Sequence, residues 1–437
     1  MSAELPALVA TMARLPDPKI NLAAYGGVVF PLALIIEAPI IMLLAASTAL
    51  SKDWASYQLI RRFMMTAGAL LTGIHILIAF TPLYYIIVNQ IIGVPPEIVA
   101  PARIGLILMI PWTWSIAYRR FNQGVLIRFG HSETVGIGTV IRLTADVLVL
   151  LAGYLLGGVS GIVVGTLAVS AGVISEAVYI GIVVRPVIRR QLKPAPPLEQ
   201  PLTWRGFYDF YIPLAMTSLI FILAQPIGSA ALSRMPLALA SLAVWPVLSG
   251  LIFMFRSAGI AYNEVVVALL DYPRSYRNLY RVTIWLAAVS SLLLLLMAAT
   301  PVSTLWFSRI SALSPDLLRL AQTGLWLALP LPAMAVLQSW YQGGLLHGRR
   351  TRGVTEAVII YLVSSAITLS VGVSMGRFPG VYVGIASMVI SMGLQTFWLW
   401  LRSRPALHAA RRRDEGIETE GLIQTEEVFA GTSPSSD

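Results

Sequence analysis

The chain is a series of apolar runs of helical length, separated by short breaks that are charged or rich in glycine and proline. A helix needs about 20 residues to cross about 30 Å of hydrocarbon. Leu22–Leu50 has that length, with Pro31 and Pro39 as expected kinks. The pattern then predicts spans over 63–92, 103–118, 134–156 and 160–184. After a long polar connection it predicts 211–232, 239–269, 279–306, 318–346, 354–375 and 379–401. Residues 3–13 are apolar but too short to cross. Counting them as a truncated first helix gives a twelve-helix plan of eleven full spans plus a stub.

Two stretches, Phe121–Pro186 and Trp340–Pro405, repeat one design at a shift of 219 residues without a gap. Gln123-Gly124 falls on Gln342-Gly343, and Gly157, Gly161 and Gly165 fall on Gly376, Gly380 and Gly384. Arg185-Pro186 falls on Arg404-Pro405. Shared glycine and proline positions mark backbone turns rather than mere greasiness, which argues against chance. The expected domains are a six-helix lobe over 1–190, a cytoplasmic linker over 191–205 and a second six-helix lobe over 206–403. Residues 404–437 turn acidic and rich in Ser and Thr, and read as a disordered cytoplasmic tail.

Composition sharpens this picture. Hydrophobic residues make up 57% of the chain and charged residues 12%, with a mean hydropathy of +0.76, which suits lipid rather than water. The net charge of +10 would suggest nucleic acid in a soluble protein, but here most Arg and Lys lie in the even-numbered connections and the C-terminal stretch. That is the positive-inside pattern, so these segments are expected in the cytoplasm and no nucleic-acid partner is expected. The expected location is the inner membrane of a bacterium. Six helices per repeat is an even number, so both lobes insert the same way up, as parallel repeats. There is no cysteine, so no thiolate metal site exists. No cleavable signal peptide is recognisable. No connection is long enough for a soluble catalytic domain, and no carboxylate or histidine cluster suits metal or phosphate chemistry, so an enzyme is not expected.

Function should therefore lie between the helices, where a charge costs about 2.5–3.5 kcal/mol on insertion scales and marks a candidate site. Glu37 is mid-span in the second helix and Arg256 mid-span in the eighth, and the 219-residue shift carries one onto the other. They read as a pair across a cleft, or Arg256 as an anion clamp, or the two as groups satisfied separately within their own lobes. Arg142 and Asp146 stand four apart on one helix face and read as a structural ion pair. Their copies are Tyr361 and Ser365, so the pair belongs to the first half. His75 is a proton-transfer candidate or a hydrogen-bonded core residue. Glu264 and Glu176 could carry a coupling ion or be satisfied near helix ends. Trp112, Trp114, Trp340 and Tyr341 read as interfacial belt or core.

Several segments resemble the progressive ankylosis protein family, within the multidrug/oligosaccharidyl-lipid/polysaccharide (MOP) flippase superfamily. They are Leu22-Ala-Ala-Tyr-Gly26, His75-Ile-Leu-Ile-Ala-Phe80, Tyr84-Tyr-Ile-Ile87 and Tyr211-Ile-Pro-Leu-Ala215. The resemblance implies an all-α polytopic membrane protein with the MATE-like two-lobe bundle and a central cleft that opens alternately to each side. For the ankylosis branch it implies export of small anions such as citrate, pyrophosphate or nucleotide. The superfamily's drug-extruding branch uses helix carboxylates for coupling, and Glu4 and Glu37 are the nearest equivalents here. The resemblance also implies a full first helix, of which only the second half stands before about Ala13; this predicts a misplaced start or an impaired protein.

The expected function is a monomeric secondary transporter of a small anionic substrate in the lipid bilayer. Arg256 would attract the anion, and Glu37, with His75, would carry a coupling proton; no cofactor beyond a coupling proton or sodium ion is expected. The alternatives are a MATE-type antiporter, in which Glu37 and Glu264 meet a cationic drug, a flippase for lipid-linked substrates, and a non-transporting scaffold.

Overall fold

The computed structural model describes residues 4–270, 272, 275–347 and 352–430, with side chains at all of these except 217, 221, 347 and 416–430. Among the described residues every regular element is a helix. The short α1 spans Glu4–Met12, and α2 spans Pro18–Leu50. Then come α3 (Trp54–Phe80), the bent pair α4 (Pro96–Leu108 and Ile110–Arg128), α5 (Ser132–Leu156) and α6 (Gly161–Leu192). The second half repeats the order with α7 (Trp204–Ser233), α8 (Ala238–Leu269) and α9 (Ser275–Ala299). It closes with the bent pair α10 (Pro315–Leu327 and Leu331–Leu346), α11 (Arg352–Met375) and α12 (Gly380–Ala430). Nine helices among the described residues are long and apolar enough to cross a membrane, or eleven if each bent pair is one span. The eleven coincide one for one with the runs read from the sequence.

The halves share their punctuation. Pro96 and Pro315 open equivalent helices. The bends in α4 and α10 are 42° and 41°; Pro111 follows the first break and Pro330 lies in the second. A proline there cannot donate to the carbonyl four residues back, so the helix bends where that bond is missing. Helices α5 and α11 each end on a glycine in the left-handed region, Gly157 at φ 64° and Gly376 at φ 58°. Close packing repeats as well. A Cβ on Gly153 would overlap Val164, and one on Gly372 would overlap Val383, the same pair 219 residues on. Likewise Gly124 packs on Ser47, and Gly343 on Val266.

The duplication has one irregularity. Upstream of α2 and α8 the offset is 220, because the left-handed residues Asp17 and Leu237 precede these helices. Downstream it is 219, because Gly105 packs on Val29 and Gly324 on Leu248. The first half therefore holds one extra residue between Asp17 and Val29. That residue is absorbed as a π-helical turn over Tyr25–Val29, whereas α8 is α-helical throughout. One inserted residue rotates the upstream face of a helix by roughly 100°.

Two compact units emerge. The first comprises Met1–Leu251, Val302–Gly324 and Ala366–Ile385, and the second Ile252–Pro301, Leu325–Ser365 and Ala386–Asp437. Within the first unit, two arginines at the 220 offset make reciprocal contacts. Arg14, after α1, donates to the carbonyls of Arg309 and Ile310 (2.6 Å for the latter). Arg234, after α7, donates to the carbonyls of Ile91 (2.6 Å) and Ile92 (2.9 Å). Each guanidinium thus closes a helix end in the opposite half of the sequence, where carbonyls lack intrahelical donors. In the second unit, α12 continues to Ala430, although a disordered tail is expected from 404. Its extension is docked: Asp414 accepts the Tyr276 N–H at 2.8 Å and Arg413 donates to the Leu270 carbonyl at 2.8 Å. Residues 431–437 lie outside the described residues.

Candidate functional site

The densest group of buried ionisable side chains lies in the first unit, where α1, α2, α4, α5 and α6 contribute to it. Its anchor is Glu176 on α6, whose side chain is fully buried. Arg119 donates to one carboxylate oxygen at 2.6 Å and Gln123 to the other at 2.8 Å. Arg119 and Gln123 are four apart on α4, so one helix face supplies both donors. Arg142 on α5 lies 4.0 Å from Glu176 and forms its close ion pair with Glu4 of the stub.

Two further carboxylates in this core are less well satisfied. Asp146 is 4% exposed and no N–H donor reaches its carboxylate, whose hydrogen-bonding neighbour is the Glu4 carboxyl. Its carboxylate lies against Gly172 of α6, where a Cβ would overlap it. Glu37 is also 4% exposed, and its Oε2 has no hydrogen bond; its cationic neighbours are Arg120, Arg119 and Arg142. Tyr25, in the π turn, is buried within electrostatic reach of Glu4, Asp146 and Arg142. Ionised groups survive in such a place only when paired and hydrogen-bonded. A buried carboxylate that accepts no hydrogen bond is the group that a proton or small cation would satisfy.

The structure revises the sequence reading at several residues. The expected Arg142–Asp146 pair is not formed, because Arg142 turns to Glu4 and Glu176 while Asp146 packs on Gly172. The fourth span does not stop at Tyr118 but runs to Arg128. Arg119 and Arg120 are therefore in the helix rather than in a loop; Glu176 pairs with Arg119, and Glu37 lies within electrostatic reach of Arg120. Arg119, Arg120, Gln123 and Tyr25 were missed as site residues; the recurrence of Gln123-Gly124 in the repeat was the available signal.

His75 lies outside this core. Its Nε2 is 2.9 Å from the Leu106 carbonyl and its Nδ1 is 2.8 Å from the Thr113 hydroxyl. A carbonyl only accepts, so this geometry assigns the proton to Nε2 and leaves Nδ1 accepting from Thr113. Glu264 is on the exposed side of α8. Arg256 belongs to the second unit, where its Nε has no hydrogen bond and its electrostatic neighbour is Tyr361, the counterpart of Arg142. Trp340 is a core residue at 2% exposure.

The second half carries a neutral version of the same contact. Positions 119 and 176 shift to Gln338 and Gln395, and the Gln338 amide donates to the Gln395 side-chain oxygen at 3.2 Å. Position 146 shifts to Ser365, which bonds Ser387 at 3.1 Å.

No family model matches the chain, and no curated protein matches it by sequence. Solved structures do. An inward-facing multidrug resistance MATE family transporter of the MOP superfamily superposes with a TM-score of 0.72 at 13% identity, covering 94% of this chain and 96% of that one. The lipid II flippase MurJ in its inward closed conformation gives 0.71 at 13%, covering 100% and 92%. A MOP superfamily transporter from Pyrococcus furiosus, described as having a binding pocket of reversed polarity, gives 0.55 at 15%, covering 94% and 95%. At these identities the likenesses show the fold alone, and no sequence match supports the ankylosis branch. The chain has the all-helical fold of the MATE-like MOP transporters.

Proposed function

We propose that this protein is a secondary transporter rather than an enzyme, working by alternating access and exporting a small organic or phosphate-bearing anion. The observation that carries the reading is the ionic core of the first half, with Asp146 buried without an N–H donor beside the Glu4 carboxyl and the arginine-held Glu176. Asp146 and Glu37 are the proposed proton-coupling groups, with Glu4 and Glu176 setting their field. Arg256 is the proposed anion-attracting group, because it stands in the half whose polar core is otherwise neutral. The Arg and Lys distribution supports an inner-membrane location with a cytoplasmic C-terminus. The proposed working unit is a monomer.

The test is uptake of labelled citrate or pyrophosphate into proteoliposomes under an imposed pH gradient. Asp146→Asn should abolish gradient-driven flux without loss of folded protein, and Arg256→Gln should abolish anion flux. Normal anion flux in Arg256→Gln removes the clamp. A second reading is a cation antiporter or a flippase of lipid-linked substrates. The unsatisfied carboxylates favour the antiporter, and the likeness to MurJ over the whole chain favours the flippase. Dye efflux in the same vesicles with no anion uptake would select the antiporter.

A further inference from the structure

The second unit holds a cavity of about 550 Å³, formed where the first turn of α9, the end of α10 and the extension of α12 come together. We propose that it binds a phosphate group carried on a larger molecule, gripped by Arg277 and Arg404 against an aromatic wall. This inference is independent of the transport reading.

Three arginines in this region are already neutralised. Arg402 forks onto Glu356 at 2.7 and 2.6 Å, Arg411 pairs with Glu415 at 2.7 Å, and Arg413 pairs with Asp414 at 3.0 Å. Asp414 and the Arg411–Glu415 pair line the cavity together with Arg277 and Arg404, and no carboxylate pairs with Arg277 or Arg404 among the described residues. The Arg404 guanidinium lies 3.5 Å over the ring of Trp400. Stacking uses the face of the guanidinium and leaves its in-plane N–H donors for an oxyanion, the geometry in which arginine binds phosphate through two bonds.

The wall is aromatic: Tyr280 and Tyr341 line the cavity with Trp340 and Trp400. Tyr276 and Tyr280 stack in parallel at 6.3 Å, and both contact Trp340. Such a surface accepts the less polar part of a ligand whose phosphate meets the arginines. The volume falls within the range of small-molecule sites, about 300–1,000 Å³. The duplication sharpens the assignment. Trp400 corresponds to Gly181, Tyr341 to Asn122 and Arg277 to Gln58, while Tyr280 corresponds to Arg61, so the first half lacks the tryptophan under its Arg185 and places its other cation one turn along. The cavity also lies at helix ends that the distribution of Arg and Lys assigns to the cytoplasmic face, where an anionic lipid headgroup and a soluble phosphate ester are both within reach.

The experiment titrates the full chain, purified in neutral detergent, with two phosphate probes. One is a short-chain phosphatidylglycerol, with short-chain phosphatidylcholine as control; the other is ATP. Binding is read by thermal shift and native mass spectrometry. Micromolar binding of phosphatidylglycerol alone would identify a lipid headgroup site, and binding of ATP alone would identify a soluble phosphate ester. In either case Arg277→Gln/Arg404→Gln and Trp400→Ala should each weaken binding at least tenfold, with unfolding temperatures unchanged in the absence of ligand. If neither probe binds, or if these folded variants bind as well as the parent, the proposal is overturned. If the variants fail to fold, Arg404→Lys replaces them: it keeps the charge but loses the two-bond fork, and should still weaken binding.

Discussion

The polar centres of the two halves occupy the same place in the same helices and differ in charge. On one side Arg119 holds Glu176 at 2.6 Å; on the other Gln338 holds Gln395 at 3.2 Å. The amide pair shows that a polar contact there can be satisfied without ionised groups. Replacing a buried ion pair by neutral groups is often neutral or stabilising. The first half therefore carries charge that its fold does not need. It also carries the π turn at Tyr25–Val29 that its duplicate lacks, which brings Tyr25 to the same cluster. An insertion and an excess of charge thus converge on one core.

The largest effect is expected from breaking the charged contact on one side only. Glu176→Gln leaves Arg119 and Arg142 facing an amide, and should cost about 3–5 kcal/mol, as for other half-broken buried pairs. The double variant Arg119→Gln/Glu176→Gln copies the second half. It should recover most of that stability in detergent unfolding while gradient-driven uptake stays absent. A double variant as unstable as the single one would refute the idea that the halves are interchangeable in packing.

Next come the matched glycines. Gly153→Val and Gly372→Val should each overpack the same helix contact, at about 1–3 kcal/mol. Unfolding temperatures that fall by similar amounts would support the duplication at the level of side-chain packing, and a strong asymmetry would count against it. The reciprocal arginines give a comparable pair. Arg14→Gln and Arg234→Gln each remove donors from helix-end carbonyls and should each cost about 1–3 kcal/mol in the same assay.

The smallest effect concerns Asp53, which caps α3 outside the spans. Burial alone would raise its pKa, but the N–H groups of Ser56 at 2.9 Å and Leu198 at 3.3 Å outweigh this and hold it below the ordinary value. Its stabilisation is therefore complete above the unfolded aspartate pKa and is lost as pH falls through the lower folded value. Asp53→Ala should cost about 1 kcal/mol at pH 7, as other helix caps do. The difference from the parent should shrink towards pH 3; a constant difference would show that the ionised carboxylate is not what matters.

Much of the architecture was legible because membrane helices announce themselves locally. Runs of apolar residues set the eleven spans, and the Gly157 and Gly376 turns set the repeat register. The single-residue slip was hidden, since an extra residue inside an apolar run changes neither its length class nor its greasiness. The site was legible only in part. Glu37, Asp146, Arg142, Glu176 and Glu4 stood out as charges in apolar surroundings, and the fold gathers all five into one unit. Arg119 and Arg120 were hidden because an arginine pair at the end of a span has the same appearance as a topological signal.

Sequence alone determined that the chain is a duplicated bundle of apolar helices, because hydropathy and turn residues act over a few neighbours. Tertiary packing decided which charges meet. Arg142 could pair with Asp146 one turn away, yet it pairs with Glu4 across 138 residues of chain, because the helix faces, not the local spacing, set the distance between their side chains.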